Sequence, residues 1–282
     1  MNISLTLTES QINTLLDSYR DAINLKELPY VKAQLILSDT VITIYTTNKV
    51  VFTGEGADYY AKSFTPSFIA HSGSDEVGTG DVFGPVVVAA CYVDQSAYNK
   101  LKSYPIQDSK KMTDDLVRSV GPILISTIPY SLLVLDNEKY NEVQALNNLN
   151  AIKAKLHNQA YLHLAKKAKL TGLKVIDQFS PKTSYYNYLK DEKEVVKDLH
   201  FETKAESKYF AVACASVIAR YAFLNALDAL SKTFDMTIPK GASDKVDDFI
   251  RLFMTRHGND ALKKVAKCHF KNIQNALNAQ HD

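Results

Sequence analysis

Residues 72–93 read SGSDEVGTGDVFGPVVVAACYV. Two carboxylates, Asp75 and Glu76, stand side by side, followed by Gly78, Gly80, Gly84 and Pro85, and then by a run of small and β-branched apolar residues. The pattern predicts a strand over 72–77, a tight backbone-exposing turn over 78–85 and a second, buried strand over 86–93. Two like charges about 4 Å apart repel by about 4 kcal/mol at an effective dielectric of about 20. Two anions at the mouth of an apolar hairpin therefore call for full solvation or for a bound positive charge. The glycines favour the second reading, because they let a ligand approach the backbone.

Composition sets the frame. The chain has 282 residues, 46% hydrophobic and 23% charged, as an ordinary globular protein has. Its length allows one large domain, or one small and one medium domain. The net charge of +2 is no argument for nucleic-acid binding. Residues 1–70 hold five Lys/Arg and seven Asp/Glu, a net −2, which leaves +4 for the rest. Cys91, Cys214 and Cys268 are odd in number and widely spaced, form no zinc pattern, and sit in apolar runs as small core residues. The first residues show no secretory signal, and no apolar run approaches 18 residues. No membrane association, no obligate protein partner and a cytoplasmic location are expected.

Along the chain, residues 1–64 predict a small α+β unit. Thr8 or Ser10 caps a helix with Ile12, Leu15, Leu16 and Ile23 on its apolar face. Three strands follow, over 33–38, 41–46 and 50–53, joined by hairpin-sized links, with a second helix over 57–64. In the middle strand Thr43 and Tyr45 share one face, and Ile42 and Ile44 the other. Residues 65–71 are expected as a linker, and 72–282 as an α/β domain. There the sequence predicts a helix over 116–125 capped near Thr113, a strand over 130–136, and one long helix over 141–170. A strand over 173–179, a short helix over 183–190 and a strand over 199–203 come next. An Ala-rich helix over 208–230 and two amphipathic helices over 244–257 and 259–267 complete it. Strands separated by helices imply a mixed sheet with helical covers.

Three acidic positions occupy similar settings: Asp75 with Glu76, Asp177 near the end of LKVIDQF, and Glu206 at the entrance of the Ala-rich helix. Each alone has a plain reading, Asp177 as a turn cap and Glu206 as a first-turn acid at a helix dipole. Together, at strand ends and a helix start, they can converge on one edge of a central sheet. An all-oxygen donor set selects Mg²⁺ or Mn²⁺ over Zn²⁺. Two such ions, about 3.5–4 Å apart, activate a water and stabilise the leaving oxygen of an in-line displacement at phosphorus. The seven histidines form no HExxH motif, and His157 and His163, six apart, are expected in structural or surface roles. D-x-x-G-T-G also suits an actin-like ATPase. That class needs a second glycine-rich phosphate loop, which residues 180–240 do not supply.

DEVGTGDVFGP, QDSKK (107–111), VIDQF (175–179), KAESKYFAVACASVIAR (204–220), PKGAS (239–243) and KCHFKN (267–272) resemble, in order, the type 2 ribonuclease H family. Gly-Thr-Gly in place of Gly-Arg-Gly resembles its ribonuclease HIII branch. The resemblance implies an RNase H-like fold, preceded by a TATA-binding-protein-like domain that holds the substrate. It also implies endonucleolytic cleavage of the RNA strand of RNA/DNA hybrids, leaving 5′-phosphate and 3′-hydroxyl ends. The family's four catalytic acids fall on Asp75, Glu76, Asp177 and Glu206. Asp75 is expected to bridge two divalent ions, the other three completing their shells. The backbone of Gly78, Thr79 and Gly80 is expected at the 2′-hydroxyl, the group that marks RNA. Lys110, Lys111, Lys204 and Lys208 are candidate phosphate contacts, and Tyr45, Lys49 and Lys32 candidate contacts of the first domain. Thr53 departs from the family, where a Gln is expected before the glycine that ends the first sheet. A hybrid-binding protein without catalysis is the remaining alternative.

Overall fold

Five short runs, with burial alternating along β1 and β4, make an antiparallel sheet in the first part of the chain: β1 (Asn2–Thr6), β2 (Ile23–Asn24), β3 (Val31–Ile36), β4 (Thr40–Tyr45) and β5 (Lys49–Gly54). The computed structural model describes residues 1–24, 27–65, 68–106 and 111–279. It divides into two compact units, Met1–Ser67 and Phe68–Asp282. The expected linker, 65–71, falls across that division. Residues 66–67 lie outside the described residues, and His71 already belongs to a strand.

The sheet of the first unit has the order β1-β5-β4-β3-β2. Ile42 and Ile44 are buried, and Thr43 and Tyr45 occupy the opposite face, as the period of two requires. Helix Glu9–Ser18 starts with a capping box. The Thr8 hydroxyl accepts from the Gln11 amide (3.3 Å), and the Gln11 side chain accepts from the Thr8 amide (2.9 Å). Ile12 and Leu15 pack beneath it with Leu35, Phe52 and Ala57. The sheet has two strands more than the sequence reading expected. β1 is short and half polar, and pairs with β5 far along the chain, Asn2 opposite Thr53. Ile23 fits the helical period, but a 3-10 turn over Arg20–Ala22 ends the helix and puts Ile23 at the start of β2.

The second unit is built on β6 (His71–Val77), β7 (Val86–Val93), β8 (Tyr130–Leu135), β9 (Lys174–Asp177) and β10 (Leu199–Glu202), in the order β10-β9-β6-β7-β8. β10, β9 and β6 run parallel, and β6, β7 and β8 antiparallel. Both faces of this sheet are covered, so β7 reads as an unbroken apolar run rather than an alternating one. Val87, Ala89 and Cys91 pack in the cluster of helix Phe210–Thr233. Val88 and Ala90 pack in the cluster that includes Ala154, Ala160 and Leu164 of helix Leu149–Ala165.

The helices differ from expectation in four places, the first being a helix over Gln95–Leu101 that the sequence reading left unassigned. The single helix over 141–170 is two, Asn137–Gln144 and Leu149–Ala165. Asp136 caps the first through the Lys139 amide (2.8 Å), and Asn148 restarts the chain through the Ala151 amide (2.9 Å). Apolar spacing continued across the break and hid both caps. A last helix, Lys271–Asn278, follows Asp244–His257 and Asn259–Val265, burying Ile273. Helix Phe210–Thr233 is, against expectation, long and apolar enough to cross a membrane by length and composition. Its apolar window is 67% buried inside the protein, which makes it the core helix of this unit.

That helix approaches β6 so closely that Gly73 is required. A Cβ there would stand 2.3 Å from the Val212 amide nitrogen and 2.6 Å from the Ala211 carbonyl carbon. Backbone cannot yield as a side chain can, so Gly73→Ala is expected to destabilise the fold by about 1–3 kcal/mol through overpacking, measured by urea denaturation.

Candidate active site

The period of two along β6 sends consecutive side chains to opposite faces. The Nε2 of His71 accepts from the Ala211 amide (3.1 Å), and Gly73 lies against Val212, so the odd-numbered residues face helix Phe210–Thr233. The hydroxyl of Ser74 meets His157 Nδ1 (2.8 Å), so the even-numbered residues face helix Leu149–Ala165. Asp75 and Glu76 are neighbours in sequence but leave the strand on opposite sides. The expectation that they form one pair at the hairpin mouth is refined accordingly: each carboxylate has its own surroundings.

Glu76 is neutralised by its surroundings. Lys153 Nζ forms an ion pair with Oε1, and His157 Nε2–H donates to Oε2 (2.9 Å). Burial pushes the Glu76 carboxyl up, but the hydrogen bond and charge of His157 and the charge of Lys153 outweigh it and hold the carboxyl below its ordinary value. Ser74 fixes the imidazole from its other nitrogen. Phe179 stacks on the ring at 5.4 Å and lies 4.0 Å beneath the Lys153 ammonium.

Asp75 is in the opposite condition. It is 8% exposed, and among the described residues its hydrogen-bond partners are neutral: the Ser216 hydroxyl and the Glu76 amide (2.8 Å). Burial pushes its carboxyl well above the ordinary range, with the Glu76 charge and then Asp177 acting in the same direction. Asp177 is the last residue of β9, and the parallel register pairs Ser74 with Ile176, one step before both aspartates. Asp75, two residues before the end of β6, and Asp177, the last residue of β9, therefore lie side by side on adjacent strands, a strand spacing of about 4.8 Å apart. The Ala205 amide donates to Asp177 Oδ1 (2.9 Å). Glu206, 8% exposed, follows on a 3-10 turn over Ala205–Ser207 rather than on the long helix itself, which starts at Phe210. Asp75, Asp177 and the turn bearing Glu206 thus meet where β9 ends beside β6. Among the described residues, no three His, Cys, Asp or Glu side chains are gathered closely enough to hold one ion in this arrangement. Glu76 is drawn to Lys153 and His157, and Asp177 to the Ala205 amide.

The glycine turn borders this edge. Gly78 has φ +87°, and a Cβ on it would stand 2.1 Å from the Pro85 carbonyl oxygen. A Cβ on Gly80 would meet nothing within 4 Å, so that side of the turn is open. Of the candidate lysines, Lys204 is exposed with left-handed backbone (φ 53°), Lys208 pairs with Glu202, and Lys111 is exposed. Lys110 lies outside the described residues. In the first unit the register Ile44–Val50 puts Tyr45 beside Lys49 on the face opposite the core. The Asn24, Gln34 and Thr43 side chains form a hydrogen-bonded row on the same sheet (3.0 and 3.3 Å), and Lys32 is exposed on β3.

Lys153, His157, Ser74 and Ser216 are the residues that sequence reasoning missed. A signal was present: Lys153 and His157 are four apart on one helix and so share a face. Comparing His157 with His163 instead concealed it.

The ribonuclease HII family model matches residues 72–273, and a domain of unknown function, DUF3378, matches residues 2–76. Ribonuclease HIII of Staphylococcus haemolyticus is 37% identical over 98% of this chain and 97% of its own length. Ribonuclease HIII of Bacillus subtilis is 40% identical over 83% of this chain and 84% of its own. The crystal structure of Bst-RNase HIII in complex with Mn²⁺ superposes with a TM-score of 0.72 at 32% identity, covering 99% of each chain.

Removing one partner of a buried ion pair strands the other. Lys153→Met is expected to cost about 3–5 kcal/mol at neutral pH. The double variant Lys153→Met/Glu76→Gln should regain most of that loss in urea titrations.

Proposed function

The chain belongs to the ribonuclease HII family, within its ribonuclease HIII members, and on that footing we propose that Asp75, Glu76, Asp177 and Glu206 are the carboxylates that hold its divalent cations. The chain is a ribonuclease H endonuclease. Its proposed substrate is the RNA strand of an RNA/DNA hybrid, cut to leave 5′-phosphate and 3′-hydroxyl ends. The observation that carries the assignment is Asp75, a buried carboxylate beside two others with, among the described residues, only neutral donors in contact. An oxygen-only donor set with one uncompensated buried carboxylate fits Mg²⁺ or Mn²⁺. When bound, two such ions supply a nucleophile at neutral pH and neutralise charge on the leaving oxygen.

The protein's own residues do the positioning. The Ser216 hydroxyl and the Glu76 amide fix the direction of Asp75. The Ala205 amide fixes Asp177, and Lys153 with His157 fixes Glu76 against the other face. Such supports hold a catalytic constellation to the tolerance that phosphoryl transfer needs. The open side of Gly80 gives the scissile ribose access to the turn's backbone, where the 2′-hydroxyl separates RNA from DNA. Lys111, Lys204 and Lys208 are proposed phosphate contacts of this unit.

The first unit, residues 1–64 in our assignment, is proposed to hold the hybrid. Its polar sheet face carries Thr43, Tyr45 and Lys49, with Lys32 on β3. Tyr45 offers a flat apolar surface with a polar tip, and Lys49 a phosphate contact.

Asp75→Asn is expected to abolish cleavage of labelled hybrid in Mg²⁺ or Mn²⁺ while hybrid affinity, read by fluorescence anisotropy, changes little. Cleavage retained in that variant removes the assignment. Tyr45→Ala and Lys49→Ala should raise KM and leave kcat nearly unchanged, and Lys49→Ala should also lower the slope of log Kd against log salt by about 1. An unchanged KM in both would take this face out of substrate binding.

A further inference from the structure

The turn over 78–85 is held from outside its own hairpin. Lys267 is fully buried, at 0% exposure. Its Nζ donates to the carbonyl oxygens of Asp81 (2.9 Å) and Gly84 (2.5 Å), and its backbone amide donates to that of Val82 (2.8 Å). One residue thus satisfies three carbonyls within four consecutive residues. The Gly84 amide donates to the Val265 carbonyl (2.9 Å), and Phe83 bridges Ala266. The Asn137 side chain adds a second donor to the Gly84 carbonyl (2.9 Å). From another side Asp81 Oδ1 accepts from the Gly241 amide (2.6 Å), and the Val82 amide donates to the Gly241 carbonyl (3.0 Å). The PKGAS and KCHFKN segments, which the carboxylate chemistry leaves unused, therefore both anchor this turn.

A buried amine is a costly way to fill space. Burial drives the Lys267 amine down to about 7, with the Asp81 carboxylate the one charge opposing it. A methionine would fill similar volume without that cost. What the amine adds is direction: two N–H groups aimed at carbonyls that flank Val82 and Phe83. A neutral amine still has two N–H groups, so both bonds persist in either protonation form.

We propose that Lys267 is a positioning residue for ribose recognition, fixing the Asp81–Gly84 segment so that the backbone of Gly78, Thr79 and Gly80 meets the scissile nucleotide. This rests on the reading of the glycine turn given under the proposed function. A buried residue that served only to fill the core would change stability and leave selectivity alone.

The test compares wild type, Lys267→Met and Asn137→Ala. Two substrates are used: an RNA/DNA hybrid, and the same hybrid with 2′-fluoro nucleotides in the RNA strand. kcat, KM and melting temperature are read for each. Lys267→Met is expected to lower kcat about tenfold to a hundredfold, the range that misplacement by about 1 Å gives. KM should stay within about threefold, and the ribose-to-fluoro ratio of kcat/KM should fall toward one. Asn137→Ala, which removes the second donor to Gly84, should move kcat and the ratio the same way by a smaller factor, and it decides alone if Lys267→Met does not fold. A folded Lys267→Met variant with wild-type kcat and ratio overturns the proposal, as does a loss confined to KM or melting temperature. A wild type indifferent to the fluoro substitution overturns the ribose reading of the turn itself, and the proposal with it.

Discussion

Among the described residues, the fold buries the Asp75 carboxylate without giving it a counter-charge. β6 delivers it to the face covered by helix Phe210–Thr233, where the nearest donors are a hydroxyl and an amide. Two neutral hydrogen bonds replace only part of the hydration that a carboxylate loses on burial. Burial, and then the Glu76 charge, push the carboxyl upward, toward the protonated form. The same residues with a divalent ion present favour the ionised form. The protein thus stores a deficit of positive charge at one point.

The contrast with Glu76 explains how the deficit is kept local. Two adjacent carboxylates on one face would both need compensation from one solution. The strand's alternation splits them. Lys153 and His157 settle Glu76 on one side of the sheet, while Asp75 on the other has, among the described residues, a hydroxyl and an amide as its donors. Glu76 still raises Asp75 through its charge, because the two remain close across the strand. The helix Leu149–Ala165 is therefore a support for the site as well as a cover for the sheet. Polar side chains buried on its inner face, Lys153 and His157, would be out of place in a helix that only packed.

Much of this was legible in the chain. The strand, turn and strand over 72–93 followed from alternation, glycine and proline, and the Thr113 cap and the strand ending at Asp177 followed from local signals. The four acids could be proposed because they recur together in similar settings and fall on the acids of the family whose motifs the chain resembles, although each alone has a plain structural reading. What stayed hidden depends on distant pairing. β1 becomes a strand only when β5 is beside it. The break at 145–148 is set by Asn148, whose cap is masked by continuing apolar spacing. Lys267 reads as one more surface lysine in a Lys-rich segment, because nothing local says that the turn over 81–84 closes over it. The split of Asp75 from Glu76 was available from the period of two, but its consequence needed the two helices to be known.

Concentrating negative charge at the cleaving edge has a consequence for how substrate is held. Under the proposed assignment the edge repels phosphates until cations arrive, so affinity for nucleic acid must come from surfaces elsewhere in the chain. The first unit offers little phosphate neutralisation beyond its proposed Lys49 contact, since residues 1–70 carry a net −2. What its outward sheet face does offer is Tyr45, Thr43, Gln34 and Asn24, groups that stack and exchange hydrogen bonds. A surface of that kind reads the shape of a helix and its sugar hydroxyls rather than its charge. It releases few counterions on binding, and its affinity falls less steeply with salt than that of a basic groove. Under the proposed assignment, the cations that complete the acidic site also remove a repulsion that a weakly charged sheet is not built to overcome.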